Sequence, residues 1–205
     1  MKFAGLLLFL VAALGAFGRL ASAADPRYPD WPCVQAKVPD ISIAAVWDGP
    51  PIDEAQNAWK DNPAVESLVM RLAARRVPLA TAEESVAGFL ASAGAEKTRK
   101  GVLVFAGLFD ILNHERTEVI NGLERLQRRQ KDLADRIRAD VAAMRELQDQ
   151  QAPDEARIKD LNSKIEWSTR IFDERRKSVR YACEVPTIIE RRLFALARAI
   201  RQEMD

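Results

Sequence analysis

The sequence predicts an all-α fold: a long antiparallel coiled-coil hairpin that projects from a small four-helix base and follows an irregular N-terminal arm. Three observations carry this prediction. A heptad pattern of apolar residues fills the second half of the chain, one proline-containing break interrupts it, and Gly and Pro are sparse after Pro78. Charged residues make up 30% of the chain, which suits helices with solvated faces better than a β-sandwich.

The heptad pattern is sustained over seven repeats from residue 102 to residue 147. The a positions are Val102, Phe109, Arg116, Leu123, Gln130, Ile137 and Met144, and the d positions are Phe105, Leu112, Val119, Leu126, Leu133, Asp140 and Leu147. Eleven of these fourteen positions are apolar, which predicts a seam between packed helices. The polar exceptions Gln130 and Asp140 lie toward the turn, so we expect the hairpin to be slimmer there.

The break is the polar stretch "DQQAPDEA", residues 149–156, in which Pro153 disfavours a continuous helix. The apolar period resumes afterwards at Ile158, Ile165, Phe172 and Val179. We therefore predict hairpin helices at about 96–150 and 154–204, and two helices of similar length joined by a short turn fold back antiparallel. Charge pairs at i,i+4, such as Glu124 with Arg128 and Asp160 with Lys164, are expected on the outer faces.

Two shorter helices precede the hairpin, at about 63–77 and 82–94. Asp61 or Asn62 can cap the first, and Pro63 suits its first turn. Thr81 and Glu84 have the spacing of a capping box for the second. Both helices are amphipathic, so we expect them to pack on the apolar open ends of the hairpin and complete the four-helix base of a helical domain over 63–205.

The arm over residues 24–62 combines many prolines with aromatic residues. Its prolines leave few consecutive residues that could form a helix. Trp31, Trp47 and Trp59 are more than a disordered tail would carry, so we expect the arm to bury aromatic side chains against the helices. A short β-strand over Ser42–Trp47 is an alternative, although it lacks an evident partner strand.

The first 23 residues have the layout of a signal peptide. Lys2 precedes an apolar run over 3–17, and small residues at 21–23 suit cleavage near Ala23–Ala24. This predicts a secreted or periplasmic protein, with a retained N-terminal anchor as the alternative. Loss of Lys2 and Arg19 changes the formal net charge from +1 to −1, and so balanced a chain gives no reason to expect a nucleic-acid partner.

The chain has two cysteines, Cys33 on the arm and Cys183 in the second hairpin helix. In an oxidising compartment the simplest prediction is a disulfide that fastens the arm across the hairpin. Two free thiols and an intermolecular bond are the alternatives. The spacing has no C-x-x-C pattern, so a catalytic redox pair is not expected.

Residues for catalysis are sparse. His114 is the single histidine, and Asp110 and Glu118 share its helical face, but the heptad phase turns that face away from the seam toward solvent. The sequence offers neither a nucleophile motif nor a phosphate-binding glycine loop. We expect no enzyme activity, no cofactor and no metal site.

These features favour an exported, non-catalytic scaffold or adaptor that contacts another protein through its hairpin. Candidate docking residues lie beside the turn: Met144, Leu147, Ile158 and Leu161. A homo-oligomer through the coiled coil is a further option, since a heptad seam can pair between chains. The alternatives are a periplasmic holding chaperone and a peripheral membrane-surface binder that uses the basic, amphipathic C-terminal helix. The membrane interpretation is less favoured, because the apolar side of that helix (Ile189, Leu193, Leu196 and Ile200) is expected to fill the base.

Overall fold

The computed structural model describes residues 25–205, which are all-α and contain no strand. The predicted signal segment, residues 1–23, lies outside this range. The helices are α1 (Ile43–Val46), α2 (Ala55–Ala58), α3 (Pro63–Ala73), α4 (Leu79–Ala91), α5 (Lys97–Gln148), α6 (Glu155–Ala182) and α7 (Val185–Met204), with 3₁₀ turns at Trp59–Asp61 and Gly94–Glu96. Over the residues described, no helix is both long and apolar enough to cross a bilayer.

The hairpin is formed by α5 and α6, which confirms the predicted long hairpin. With 52 residues, α5 extends over about 78 Å. After the turn, the Asp154 carboxylate accepts a hydrogen bond from the Arg157 backbone N–H at 3.0 Å and starts α6.

Two contacts across the hairpin define its antiparallel register. The Lys164 ammonium lies 2.8 Å from the Asp140 carboxylate, and the Gln130 amide donates to the Phe172 carbonyl at 3.0 Å. Lys164 therefore pairs across the hairpin rather than with Asp160 four residues earlier, which corrects the i,i+4 expectation. A cross-helix pair fixes register, whereas an exposed pair within one helix contributes only a few tenths of a kcal/mol.

The second arm of the hairpin is divided, although the sequence predicts one helix over 154–204. Here α6 ends at Ala182 and α7 begins at Val185. Pro186 explains the interruption, because it has no N–H to donate to the Ala182 carbonyl and its ring clashes with that group in a continuous helix. While α6 packs on α5, α7 packs on both α5 and α4.

The base core is built from α3, α4, the first turns of α5, and α7. Its fully buried side chains are almost all aliphatic, among them Leu68, Leu72, Leu90, Leu108, Ile189, Leu193, Leu196 and Ile200. Burial of each such side chain contributes about 1.5–3 kcal/mol. The four-helix bundle geometry that the sequence predicts for this base stays a prediction.

The predicted start of α3 is confirmed, whereas the predicted start of α4 is wrong. Asn62 caps α3 as expected, accepting from the Val65 backbone N–H at 3.2 Å. The start of α4 is at Leu79, three residues before the predicted position, so Thr81 lies inside the helix and its carbonyl accepts from the Ser85 hydroxyl. The predicted capping box is therefore not formed. Pro78, with its extended backbone, is the N-cap residue instead of Thr81.

The second half of the arm belongs to the core. Trp47 stacks on Phe105 with ring centroids 4.0 Å apart, and Trp59 is 3% exposed, as the prediction of buried aromatics requires. Gly107 allows Trp59 to approach α5, since a Cβ there would lie 2.8 Å from the indole. The alternative of a strand over Ser42–Trp47 is wrong, because Ile43–Val46 form one helical turn whose carbonyls bond locally.

Candidate functional site

Cys33 and Cys183 form a disulfide with their Cα atoms 5.6 Å apart, which confirms the predicted pairing. Cys183 is the C-cap residue of α6, so the arm is fastened at the junction between α6 and α7. The bond sits in a small apolar cluster of its own, formed by Trp31, Val119, Leu123, Leu126, Val179 and Ala182. A disulfide that closes so long a loop is typical of an oxidising, exported compartment.

Polar contacts hold the arm on both sides of the disulfide. The Gln35 side-chain amide donates to the Cys183 carbonyl, and the Lys37 ammonium lies 2.5 Å from the Glu124 carboxylate. The Lys37 and Glu124 side chains are only 12% and 18% exposed, so this pair is partly shielded from water. Glu124 thus pairs with the arm and not with Arg128, which corrects a second i,i+4 expectation.

Arg116 is the most informative side chain in this region. It occupies an a position of the seam, yet its charged side chain is 2% exposed. Its guanidinium donates to the Glu190 carboxylate at 2.6 Å, to the Pro39 carbonyl at 3.0 Å, and to the Val38 carbonyl. One buried cation therefore joins the arm, α5 and α7, and each of its three nitrogens has an acceptor.

Sequence reasoning missed this role. It treated Arg116 as one of three polar interruptions in an otherwise apolar seam. The signal was the residue type itself, because arginine at a fully enclosed position requires several acceptors, and the prolines of the arm leave backbone carbonyls without helical partners.

Asp30 fastens the arm closer to the hairpin tip. Its carboxylate lies 2.7 Å from the Lys131 ammonium and 3.1 Å from the Arg128 guanidinium. Hydrogen bonds from Lys131 and then Arg128 lower the pKa of Asp30 below its ordinary value. Together with the disulfide, these contacts make residues 30–40 a strap that lies across α5.

Arg192 links α7 to the end of α3. Its guanidinium donates to the Leu72 carbonyl at 2.7 Å and to the Val77 carbonyl at 2.9 Å, so a cation caps the negative end of the α3 dipole. Burial lowers the pKa of Arg192, although the group stays protonated. The basic side that the sequence predicts for the last helix consists of Arg191, Arg192, Arg198 and Arg201; Arg192 is buried instead, while Arg191 and Arg198 are exposed.

The candidate docking residues flank the turn at the far end of the hairpin. Met144 and Leu147 lie near the end of α5, Ile158 and Leu161 lie near the start of α6, and all four are half-buried. Between Leu133 and Val179 no residue is fully buried. The tip is therefore a two-helix structure open to solvent on its outer sides, and a docking role for these four residues stays a prediction.

The outer face of α6 carries exposed aromatic residues that sequence reasoning overlooked. Trp167 is 62% exposed and Tyr181 is 73% exposed. They are fourteen residues apart, which places them within about 40° of each other around the helix and about 21 Å apart along it. The heptad phase already contained this signal, since Trp167 falls two residues after the inward-facing Ile165.

The three polar residues that share one face of α5 in the sequence lie at the surface of the helix. Asp110, His114 and Glu118 are all exposed, and Asp110 lies 3.6 Å from the Lys60 ammonium. Within residues 25–205, no group of three or more His, Cys, Asp and Glu side chains is arranged to hold a metal ion.

Comparison with protein-family models, with curated proteins and with solved structures gives no match to this chain.

Proposed function

We propose that this protein is an exported, non-catalytic scaffold or adaptor of the bacterial periplasm or envelope, and that it contacts another protein through a coiled-coil hairpin. The observation that carries the proposal is the stretch from residue 134 to residue 178, in which both helices leave the core and no residue is fully buried. None of the residues in this stretch belongs to the core of the base, so the base does not need the extension for its stability. A projecting hairpin instead offers a long surface to a partner.

The anchoring contacts support this proposal. The disulfide, the buried Arg116 and the Arg192 cap each join sequence-distant elements next to the root of the hairpin. A rigid root limits how much orientational freedom the projecting part must lose when it binds, and that loss opposes association. Export through a signal peptide over residues 1–23 would supply the oxidising compartment in which the disulfide forms.

The two alternatives receive less support. A holding chaperone would need a broad apolar surface, whereas the large exposed apolar side chains of residues 25–205 are scattered over several elements. A membrane binder that used the apolar side of α7 would have to unfold the base, because Leu193, Leu196 and Ile200 are fully buried there. Suppression of client aggregation at stoichiometric ratio would favour the chaperone, and salt-sensitive liposome flotation would favour the membrane binder.

The test is site-specific photo-crosslinking in cells. A photoreactive amino acid replaces Leu147 or Ile158 at the tip, and a matched control replaces Met70, which is 58% exposed on the base. We expect both tip positions, and not the control, to crosslink the same defined protein, identified by mass spectrometry. Equal capture from the base position, or no capture from the tip, would contradict the proposal.

A shortened hairpin provides the second arm of the experiment. Residues 137–166 are replaced by a short glycine-containing turn, which keeps Leu133 and the Asp30 contacts with the strap. We expect this variant to retain the base, seen as an intact disulfide and a cooperative unfolding transition, and to lose the partner. N-terminal sequencing of the exported chain, expected to begin at Ala24, tests the leader separately.

A further inference from the structure

Trp167 lies at a boundary in the charge pattern of the hairpin. Residues 139–163, around the turn, contain six Asp or Glu and three Lys or Arg. Residues 125–138 and 164–180, which lie side by side nearer the base, contain five acidic and twelve basic residues. The hairpin therefore has an acidic outer section and a basic inner section, and Trp167 is three residues inside the basic one.

Two opposite charges flank this tryptophan without a partner of their own. Asp160 and Arg170 are exposed, and neither forms an ion pair with any residue in the described part of the chain. Both lie within about 60° of Trp167 around α6, Asp160 about 10 Å toward the turn and Arg170 about 4 Å toward the base. One face of α6 thus presents, in order, a negative charge, a large aromatic ring and a positive charge.

We propose that two copies of this chain associate through this face of α6, with their hairpins antiparallel and related by a two-fold axis. An axis midway between Asp160 and Arg170 places Asp160 of each copy opposite Arg170 of the other, so the pair occurs twice by symmetry. The same axis sets the acidic outer section of each hairpin against the basic inner section of its partner. Such reciprocity is what a two-fold interface requires of a single surface.

The geometry also puts the aromatic residue where it contributes most. Trp167 of each copy lies about 3 Å along the helix from the axis, so the two indoles meet at the centre of the contact. Tryptophan at the centre of an interface is the residue type most often responsible for a large share of binding energy.

The length of the overlap sets the size of the dimer contact. The overlap reaches from the turn to the level of residue 125 on α5, about 26 residues or 40 Å. One helix is about 10 Å wide, so the α6 face of each copy covers about 400 Å², about half of what a standard-size interface buries per partner, as in a weak, concentration-dependent dimer. This association uses the outer face of α6 up to the turn, so capture of a second copy from the tip positions would report the dimer, whereas capture of a different protein would report the partner proposed for the tip.

The first experiment is sedimentation equilibrium of the full mature chain with its disulfide intact. We expect a concentration-dependent dimer that weakens with added salt, because exposed charges are screened. Trp167→Ala should raise the dimer dissociation constant by about tenfold or more. Tyr181→Ala, an equally exposed aromatic on the same helix but outside the overlap, should leave it unchanged.

A charge exchange gives the second experiment. Asp160→Arg and Arg170→Asp should each raise the dissociation constant by about tenfold, because each creates two like-charged contacts. The double variant D160R/R170D should restore the dimer, since the two charges exchange places across the axis. Arg76→Asp, on the exposed base, controls for net charge.

Three results would overturn the proposal. One is a monomer at every concentration that stays soluble. Another is a dimer that Trp167→Ala does not weaken, which would place the interface elsewhere. The third is a double charge variant no tighter than its single parents. Because these side chains are exposed, a melting curve that matches the wild type at concentrations where both are monomeric separates lost association from lost folding.

Discussion

Replacing Arg116 by leucine distinguishes what the heptad pattern implies from what the structure implies. The pattern alone predicts stabilisation, because Arg116→Leu replaces one of the three polar positions of the seam with an apolar residue. The structure predicts the opposite. The guanidinium joins the strap and α7 to α5, and leucine leaves the Glu190 carboxylate and two strap carbonyls without their donor.

The size of the effect follows from burial. Breaking a buried, hydrogen-bonded ion pair by removing one partner costs about 3–5 kcal/mol. The Glu190 side chain is 28% exposed, so water can solvate the released carboxylate, which places the cost near 3 kcal/mol. The leucine recovers only about 1 kcal/mol, since the methylenes of Arg116 are already buried. We expect a net loss of about 2 kcal/mol in the free energy of unfolding.

The assay is guanidinium-induced unfolding of the oxidised protein, followed by circular dichroism at neutral pH. Gln130→Leu is the matched control at another a position of the same helix. Gln130 is buried, makes one hydrogen bond to Phe172, and has an Oε1 that finds no partner among the described residues. Removing that unsatisfied acceptor should stabilise the protein by about 1 kcal/mol. Equal or greater stability of Arg116→Leu than of the wild type would refute the reasoning about the strap.

Three further predictions concern the same framework. Replacing Cys33 and Cys183 by serine should lower the free energy of unfolding by up to about 5 kcal/mol, and denaturation of wild type with reductant should match it, while an unchanged midpoint would count against the strap. Gly107→Ala should destabilise by about 1 kcal/mol through overpacking, whereas Gly122→Ala in the same helix should stabilise, because its Cβ would meet only the Arg125 guanidinium at 3.8 Å, an ordinary van der Waals contact. The lowered pKa of Asp30 means that its ionised form favours the docked strap, so its stabilisation is present at neutral pH and fades as the pH falls below about 4; the difference in denaturation between Asp30→Asn and wild type should be widest at pH 7 and should narrow progressively below about pH 4, and a constant gap would contradict this.

Local signals in the sequence were sufficient for the secondary structure of the hairpin. The spacing of apolar residues and the break at Pro153 predicted two long helices that fold back, and Asn62 with Pro63 predicted the start of α3. The two cysteines predicted the disulfide once an exported compartment was inferred. These features depend on the residues nearest in the chain, or on there being a single possible pair.

The interruption between α6 and α7 was also local, yet it was overlooked. Pro186 removes a hydrogen bond inside what the apolar period presented as one helix. The period continues across the proline because the residues on both sides face the same neighbour, α5, so periodicity alone does not reveal the break.

Along the two hairpin helices the sequence by itself determined which residues face inward; the tertiary structure decided what each of them faces. Arg116 and Leu123 occupy equivalent heptad positions, but the first meets carbonyls of the strap and the second meets the cluster around the disulfide. Likewise the pattern placed Trp167 outside the seam, and only the assembled hairpin showed it exposed between the negatively charged Asp160 and the positively charged Arg170. The physical reason is that periodicity records the orientation of a side chain about its own helix axis, whereas a contact depends on where distant segments of the chain come to lie.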